Sequence, residues 1–531
     1  MAPKWSLDPF LYTTAGSEID QHYEDQMTQQ ARSPVPTDPS KPRVSLVVGP
    51  SPFTMMRGWE FFITSPFEGV SYIATVLHNA GYPVRIIDVR YRRDPLRDAY
   101  DEIMQGTDWL GIATFEDNYP FVEELIDAVK TARPHLPVVL GGSLVTSVPH
   151  VFMKETKADV AVISEGELTV QELLEAFTAG TTEQRLPFIR GIWYRDAEGK
   201  VHRNGPRGQM RDLNSLPHMN LSLWPQAHGP RGLQPQIIAS HSRGCKMDCS
   251  FCYRTTPQLR EKSPQKLREE LTKLKHDYNV NFVFFVDLTF TSDKRRTLEV
   301  CEVIKEVDIG WTCLTRCSDV DPEVLRAMTD SGCDIVLYGV ESLSPDILKQ
   351  ARKGSSEHLA TRAMHMSWDA GTRFGGLLIV GLPGETEETL EHASQWAARS
   401  NSLTRVKYLS AMPGTTVYFE GLRKGIIRSE VEHLRWLSIE QALVHDEFLN
   451  YNGLPEHVSR KAYQQLYDAY CPGPVMDFQH FPEHMDYFYP DSRPGFEWRA
   501  KFSSVSAPAV PGVERFSNRA LAPDRRLLST V

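Results

Sequence analysis

Three cysteines stand close together in the run from His241 to Tyr253: Cys245, Cys249 and Cys252. A C-x3-C-x2-C spacing places three thiolates on one short loop. They can hold three irons of a [4Fe–4S] cluster and leave the fourth iron without a protein ligand, open to something else. A structural zinc site wants four protein ligands, usually as two separated pairs, and no second C-x-x-C exists here. A disulfide framework fits poorly: eight Cys in 531 residues are sparse, and Met1 to Gln30 is polar and acidic, with no apolar signal segment. Cys301, Cys313, Cys317, Cys333 and Cys471 are scattered; Cys301 and Cys333 sit in apolar patterns and read as core residues.

Composition bounds what can surround such a loop. The length suggests two or three domains, and a hydrophobic share of 41% is ordinary for a chain with a real core. No apolar run reaches the roughly 18 residues of a membrane span. A net charge of −10 argues against a general nucleic-acid binder, which would carry a basic stripe. A thiol-rich site implies a reducing compartment, so the expected location is the cytoplasm.

The elements that must position the cysteines read as strand–helix units over residues 233–425. Ile237–Ala239 is a strand that delivers the loop. Ser263-Pro264 caps a helix with Leu267, Leu271 and Leu274 on one face. Phe282–Val286 ends at Asp287, and a helix starts at Ser292-Asp293. Trp311–Thr315 precedes Arg316; Asp321-Pro322 opens a helix closed by Gly332. Ile335–Tyr338 precedes Glu341-Ser342, Gly375–Val380 precedes Gly381, and Val406–Leu409 precedes Met412-Pro413-Gly414. Such a series predicts a partial (β/α)6 TIM-type barrel with its active residues at strand C-termini. The bland alternative for Asp287, Arg316 and Glu341 is a salt-bridge network at the barrel mouth.

An earlier stretch, 43–184, also alternates strand and helix. Val44–Val48, Val84–Asp88, Trp109–Ala113, Val138–Leu140 and Val160–Ile163 are five strands, and Gly81 reads as the C-cap of a helix over 72–80. This predicts a doubly wound, Rossmann-like parallel sheet that binds its ligand at the carboxyl ends of the strands. Thr114 follows the third strand, Gly141-Gly142-Ser143 the fourth and Glu165-Gly166-Glu167 the fifth. Gly-Gly can let a ligand approach the backbone, or merely terminate a strand. Residues 1–42 read as a polar extension with linker composition at its end. Residues 185–232 read as a connector holding a hairpin around Asp196–Gly199. Residues 426–502 read as a small, mostly helical region, helical over Trp436–Leu449 and aromatic-rich over Phe478–Tyr489, and 503–531 as a disordered tail.

The cysteine spacing and the whole of 233–425 resemble the radical S-adenosylmethionine (SAM) superfamily, whose open iron chelates the amino and carboxylate groups of SAM. The resemblance implies roles by position. Phe251 matches the aromatic before the last cysteine, and Asp287 lies where relatives contact SAM or substrate. Arg316 would pair with the SAM carboxylate, Glu341 and Ser342 match a segment that contacts its ribose or amine, and Gly381 opens a turn beside the adenine. The 43–184 stretch resembles the cobalamin-binding domain ahead of many radical SAM cores. That likeness implies that Gly141, Gly142, Ser143, Glu165 and Gly166 admit the corrinoid's nucleotide tail, with Thr114 as a partner for it. The D-x-H-x-x-G motif that gives cobalt a histidine is absent; Ser51–Phe62 stands in its place, where an aromatic such as Trp59, or Arg57, would face the lower side of the corrinoid. The absence also leaves open a degenerate domain that binds no cobalamin.

Together the resemblances imply a cobalamin-dependent radical SAM methyltransferase of class B. It would use a [4Fe–4S] cluster, SAM and methylcobalamin to methylate an unactivated carbon or phosphorus of a small specialised-metabolite precursor, by way of a 5′-deoxyadenosyl radical. An external donor such as flavodoxin or ferredoxin would supply the electron, with no nucleic-acid or membrane partner. Alternatives are non-methylating chemistry (cyclisation, ring contraction, oxidation), a cobalamin sensor or carrier with a vestigial barrel, and methyl transfer without the deoxyadenosyl radical.

Overall fold

The structure is a computed structural model that describes residues 18–32, 36–50, 65–90, 92, 94–228, 233, 236–400, 403–440 and 448–469. Ser51–Phe62 with Trp59, Cys471, Phe478–Tyr489 and the tail lie outside the described residues.

In the first module, β1 (Val44–Val48), β2 (Val84–Asp88), β3 (Trp109–Ala113), β4 (Val138–Gly141) and β5 (Val160–Val162) pair in parallel in the order β2-β1-β3-β4-β5. Their Val, Ile and Leu side chains are buried on both faces, as a sheet between two helix layers requires. The strand order reverses beside β1, so β1 and β3 bound a crevice at the strand carboxyl ends.

Two boundaries differ from the sequence expectation. The predicted connector hairpin, β6 (Ile192–Arg195) and β7 (Val201–Arg203), is not a bridge but joins the sheet, β6 pairing antiparallel to β5. It covers what would otherwise be an open edge with unpaired backbone groups. The polar N-terminal extension contains a helix, Glu18–Arg32. Its Met27 is 1% exposed, and Gln26 Nε2 donates to Glu175 Oε1 at 3.2 Å. One buried methionine among polar neighbours is a weak sequence signal, and only packing reveals it.

The second module begins with β8 (Gln236–Ala239). A short antiparallel ladder follows, β9 (Ser242–Arg243) against β10 (Arg260–Glu261). Then come β11 (Phe282–Phe285), β12 (Gly310–Thr315), β13 (Cys333–Glu341), β14 (Arg373–Val380) and β15 (Leu403–Tyr408). Strands β8 and β11–β15 form a six-stranded parallel sheet in chain order, the expected half-barrel. Its inner face packs Phe284, Ile335 and Leu337 with Ile238, Val286 and Leu314. The intervening helices start where the sequence places caps: Ser263, Asp293 and Asp321 each accept hydrogen bonds from the first-turn backbone.

The modules share one apolar cluster. The helix Glu68–Asn79 lies at the junction. Its Ser71 Oγ accepts from the indole of fully buried Trp224 at 2.9 Å. Lys262, from the barrel side, donates to Glu270, Tyr72 and the Ser240 carbonyl at 2.8 Å each. A buried ammonium is tolerable only with such partners.

Candidate active site

The cysteine loop leaves through the β9–β10 neck at the C-terminal end of β8. Gly244 makes the turn at φ +86; a Cβ there would sit 2.0 Å from the Gln258 carbonyl oxygen, so only glycine fits. Cys245 is buried, and Cys249 and Cys252 are half-buried. All seven described cysteines are free thiols. The sulfurs have weak neighbours: Thr289 Oγ1 lies 3.8 Å from Cys245 Sγ, and the Arg352 carbonyl 3.7 Å from Cys249 Sγ. Burial, then the neighbouring sulfurs, push the Cys252 thiol up to about 11; burial also raises Cys249. Among the described residues, no three His, Cys, Asp or Glu side chains converge as ligands of a single ion do. Three thiolates that each serve a different iron need no such convergence.

The loop is pinned from several sides. Asp287, 2% exposed, accepts from the backbone N–H of Ser242 at 2.6 Å and of His241 at 3.3 Å, and from the Ser242 hydroxyl. The sequence placed Asp287 against SAM or substrate; the structure spends its carboxylate on holding the cysteine loop. Ser250, between two cysteines, donates to the Ala351 carbonyl at 2.9 Å and accepts from Val417 N–H at 3.1 Å.

Positive charge gathers beside the sulfurs. Arg316, 6% exposed, donates to the carbonyls of Lys353 and Gly354 at 2.5 and 3.1 Å. Lys353 Nζ donates to Glu341 Oε1 at 2.9 Å and lies 6.0 Å from the Phe251 ring. Burial works against the Lys353 charge, but Glu341 and then Cys249 hold it above the usual ammonium range. Glu341 has φ +66 at a bulge in β13, a backbone conformation rare for a side chain with a Cβ. Ser342 is buried beside it, its hydroxyl accepting from Ser344 N–H at 3.3 Å. Gly381 N–H donates to Glu385 at 2.8 Å; Glu385 is pushed up to about 7 by burial. Sequence reasoning missed Lys353: the loop after β13 folds back onto the cysteines, and no local pattern signals that return.

The strand ends of the first module look different. Thr114 Oγ1 donates to the Gly141 carbonyl at 2.9 Å and accepts from Val145 N–H at 3.0 Å, so its hydroxyl is used within the fold rather than offered to a ligand. Gly142 has φ +112, and a Cβ there would lie 2.4 Å from the Thr114 carbonyl oxygen. At Gly141 a Cβ would meet nothing within 4 Å, which leaves the strand end open. Ser143 starts a short helix, and Ser147 on that helix donates to the Tyr253 hydroxyl at 3.3 Å. Glu165 is not open either. It accepts from Arg243 at 2.9 Å and from Arg260 and Met210 N–H at 2.8 Å each. Burial alone would raise its carboxyl, yet the two arginines hold it below the usual range. Gly166 caps the helix Glu167–Thr178. Ser164, unnamed as a site residue in the sequence reading, has φ +68 and a buried hydroxyl with no partner among the described residues.

Two family descriptions match this arrangement: the Radical SAM superfamily over residues 239–397 and the B12 binding domain over 66–174. The chain thus carries a B12 binding domain followed by a radical SAM domain. It is 29% identical over 363 residues to an uncharacterized methyltransferase of Pyrococcus horikoshii, covering 67% of this chain and 78% of that one. It is 24% identical over 441 residues to cytidylyl-2-hydroxyethylphosphonate methyltransferase of Streptomyces wedmorensis, covering 71% and 81%. Its fold superposes on the radical SAM methyltransferase TsrM of Kitasatospora setae with a TM-score of 0.62 at 16% identity, over 81% of this chain and 91% of that one. The chain is thus an enzyme of the radical SAM kind, and its cofactors are a [4Fe–4S] cluster, SAM and cobalamin. No described helix is long and apolar enough to cross a membrane.

The residues present fit those groups. Three free thiols on one loop are the donor set of a cluster with one open iron. The open surface at Gly141 and the orphaned Ser164 hydroxyl, both at the strand ends of the first sheet, suit a ligand that approaches backbone closely.

Proposed function

We propose that this enzyme is a class B methyltransferase that places a methyl group on an unactivated carbon or phosphorus of a small specialised-metabolite precursor. The observation that carries the reading is the meeting of two strand-end sites. The loop holding Cys245, Cys249 and Cys252 touches the first module at both its ends, through Arg243 and Tyr253. When bound, the cluster with SAM supplies a carbon-centred radical and the corrinoid supplies the methyl group. Cys245, Cys249 and Cys252 would each hold one iron. Lys353 and Arg316 offset the negative charge of the thiolates and of a bound carboxylate. Apolar side chains lining the half-barrel keep water from the substrate carbon or phosphorus. Gly141, Gly142 and Ser164 would receive the corrinoid's tail. The similarity to a phosphonate methyltransferase supports a small anionic substrate. The electron comes from a flavodoxin or ferredoxin, and free thiols suit a cytoplasmic setting.

Anaerobic reconstitution with iron, sulfide and hydroxocobalamin, followed by SAM turnover and product mass, tests this. A gain of one CH2 in the substrate supports methyl transfer. Loss of hydrogen without a methyl gain replaces it with the cyclising or oxidising alternative. SAM consumption without 5′-deoxyadenosine points to methyl transfer that bypasses the deoxyadenosyl radical.

A further inference from the structure

The arm that leads into the cysteine loop carries an ion-pair clamp that the chemistry described so far does not use. Arg243 lies two residues before Cys245. Its two terminal nitrogens take different carboxylates, Glu165 Oε1 at 2.9 Å and Glu167 Oε1 at 2.7 Å. Glu165 stands on the loop after β5 of the B12-binding module, and Glu167 opens the helix that follows it. Arg260, paired with Arg243 across the β9–β10 ladder, takes the second oxygen of Glu165 at 2.8 Å and the Met210 carbonyl at 2.7 Å. All four side chains are at most 16% exposed. The β5 loop reaches this arrangement through Ser164, held at φ +68, with its N–H on Thr146 Oγ1 at 3.0 Å. At the far end of the cysteine loop, Tyr253 is bound by Ser147, in the short helix after β4. The two segments that grip the cysteine loop, those following β4 and β5, are therefore the two that flank the proposed corrinoid surface.

We infer that Arg243 is a positioning residue that sets the distance between the iron-binding loop and the corrinoid-binding sheet, through its paired contacts to Glu165 and Glu167. The inference rests on the two-cofactor reading above. A pair that only stabilised the domain interface would lower every activity together. A positioning pair affects selectively the step in which groups held by separate modules must meet, because about 1 Å of misplacement costs about 100-fold.

The test uses full-length protein reconstituted with iron, sulfide and hydroxocobalamin, with titanium(III) citrate as reductant and SAM as the probe. Reductive cleavage needs the barrel alone: one electron breaks the C5′–S bond of SAM to give methionine, and 5′-deoxyadenosine forms after a hydrogen atom is taken from buffer. Methylation of cob(I)alamin needs both modules: its electron pair attacks the SAM methyl, giving methylcobalamin and S-adenosylhomocysteine, followed by visible absorbance. Arg243→Gln should leave cleavage within about twofold and slow cobalamin methylation by about 100-fold. Arg243→Lys, which keeps the charge but loses the fork, should fall between. In cofactor-free protein, hydrogen exchange over 242–261 and 164–167 should quicken in both variants. An equal fall in the two reactions, or no change in either, overturns the inference. If Arg243→Gln does not fold, the same split is read from Arg243→Lys. If the wild type forms neither product, the two-cofactor reading fails, while unchanged exchange over 242–261 in the variants still overturns the clamp on its own.

Discussion

The strand ends of the two modules treat their polar groups in opposite ways. At the mouth of the half-barrel, the thiols of Cys245 and Cys249 are kept near backbone and hydroxyl groups that hold sulfur only weakly, at 3.4–3.8 Å. At the ends of the first sheet, Thr114 and Glu165, the polar side chains a motif reading picks out, are engaged by protein groups. Donor atoms meant for a cofactor must stay free of strong protein partners. Polar atoms already satisfied in a buried setting serve the scaffold. By this criterion the strand ends of the first module present backbone, open space and the Ser164 hydroxyl rather than free charged side chains.

The largest effect should come from the open side of that contrast. Replacing Cys245, Cys249 and Cys252 together with Ala should abolish iron-dependent absorbance and SAM cleavage; activity that survives contradicts the ligand set. Next comes Glu165→Gln. Leaving Arg260 without its carboxylate and Arg243 with Glu167 alone should cost about 3 kcal/mol in denaturant unfolding, while hydroxocobalamin affinity changes far less than that. A comparably large loss of affinity would make Glu165 a ligand after all. The pH sign follows from its carboxyl being held low in the fold: the stabilisation is complete above the ordinary carboxyl range and is lost as pH falls from that range through the lowered folded value, and Glu165→Gln should flatten that acid limb.

Gly142→Ala should destabilise by about 2 kcal/mol, since a Cβ would collide with Thr114 backbone at a strained φ. Gly141→Ala should fold normally, so any loss of cobalamin affinity there reports ligand approach rather than misfolding. The smallest effect is Thr114→Val: about 1 kcal/mol of stability for a lost hydroxyl bridge, with cobalamin binding retained. Unaltered stability combined with lost binding would return Thr114 to the ligand side.

Much of the architecture was legible in the chain. Val44–Val48, Val160–Ile163 and Phe282–Val286 are apolar runs bounded by turn residues, and Ser263, Asp293 and Asp321 cap helices by local hydrogen bonds. Such signals involve neighbours a few residues apart, so they survive in one dimension. The hairpin after residue 191 was recognisable as a hairpin, but its docking on β5 was not, because edge pairing depends on which strand is left uncovered.

The sequence by itself determined the cysteine triplet, because three ligands within one loop are brought together by chain connectivity alone. It also determined the two kinds of parallel sheet. Only the tertiary structure decided what the remaining motif residues do. Asp287 meets Ser242 across 45 residues, Lys353 meets Glu341 over the cysteines, and Glu165 meets Arg243 across 78. A carboxylate that binds a cofactor and one that binds an arginine are identical as letters. They differ only in what the fold brings within hydrogen-bond reach, and that depends on packing between modules far apart in the chain.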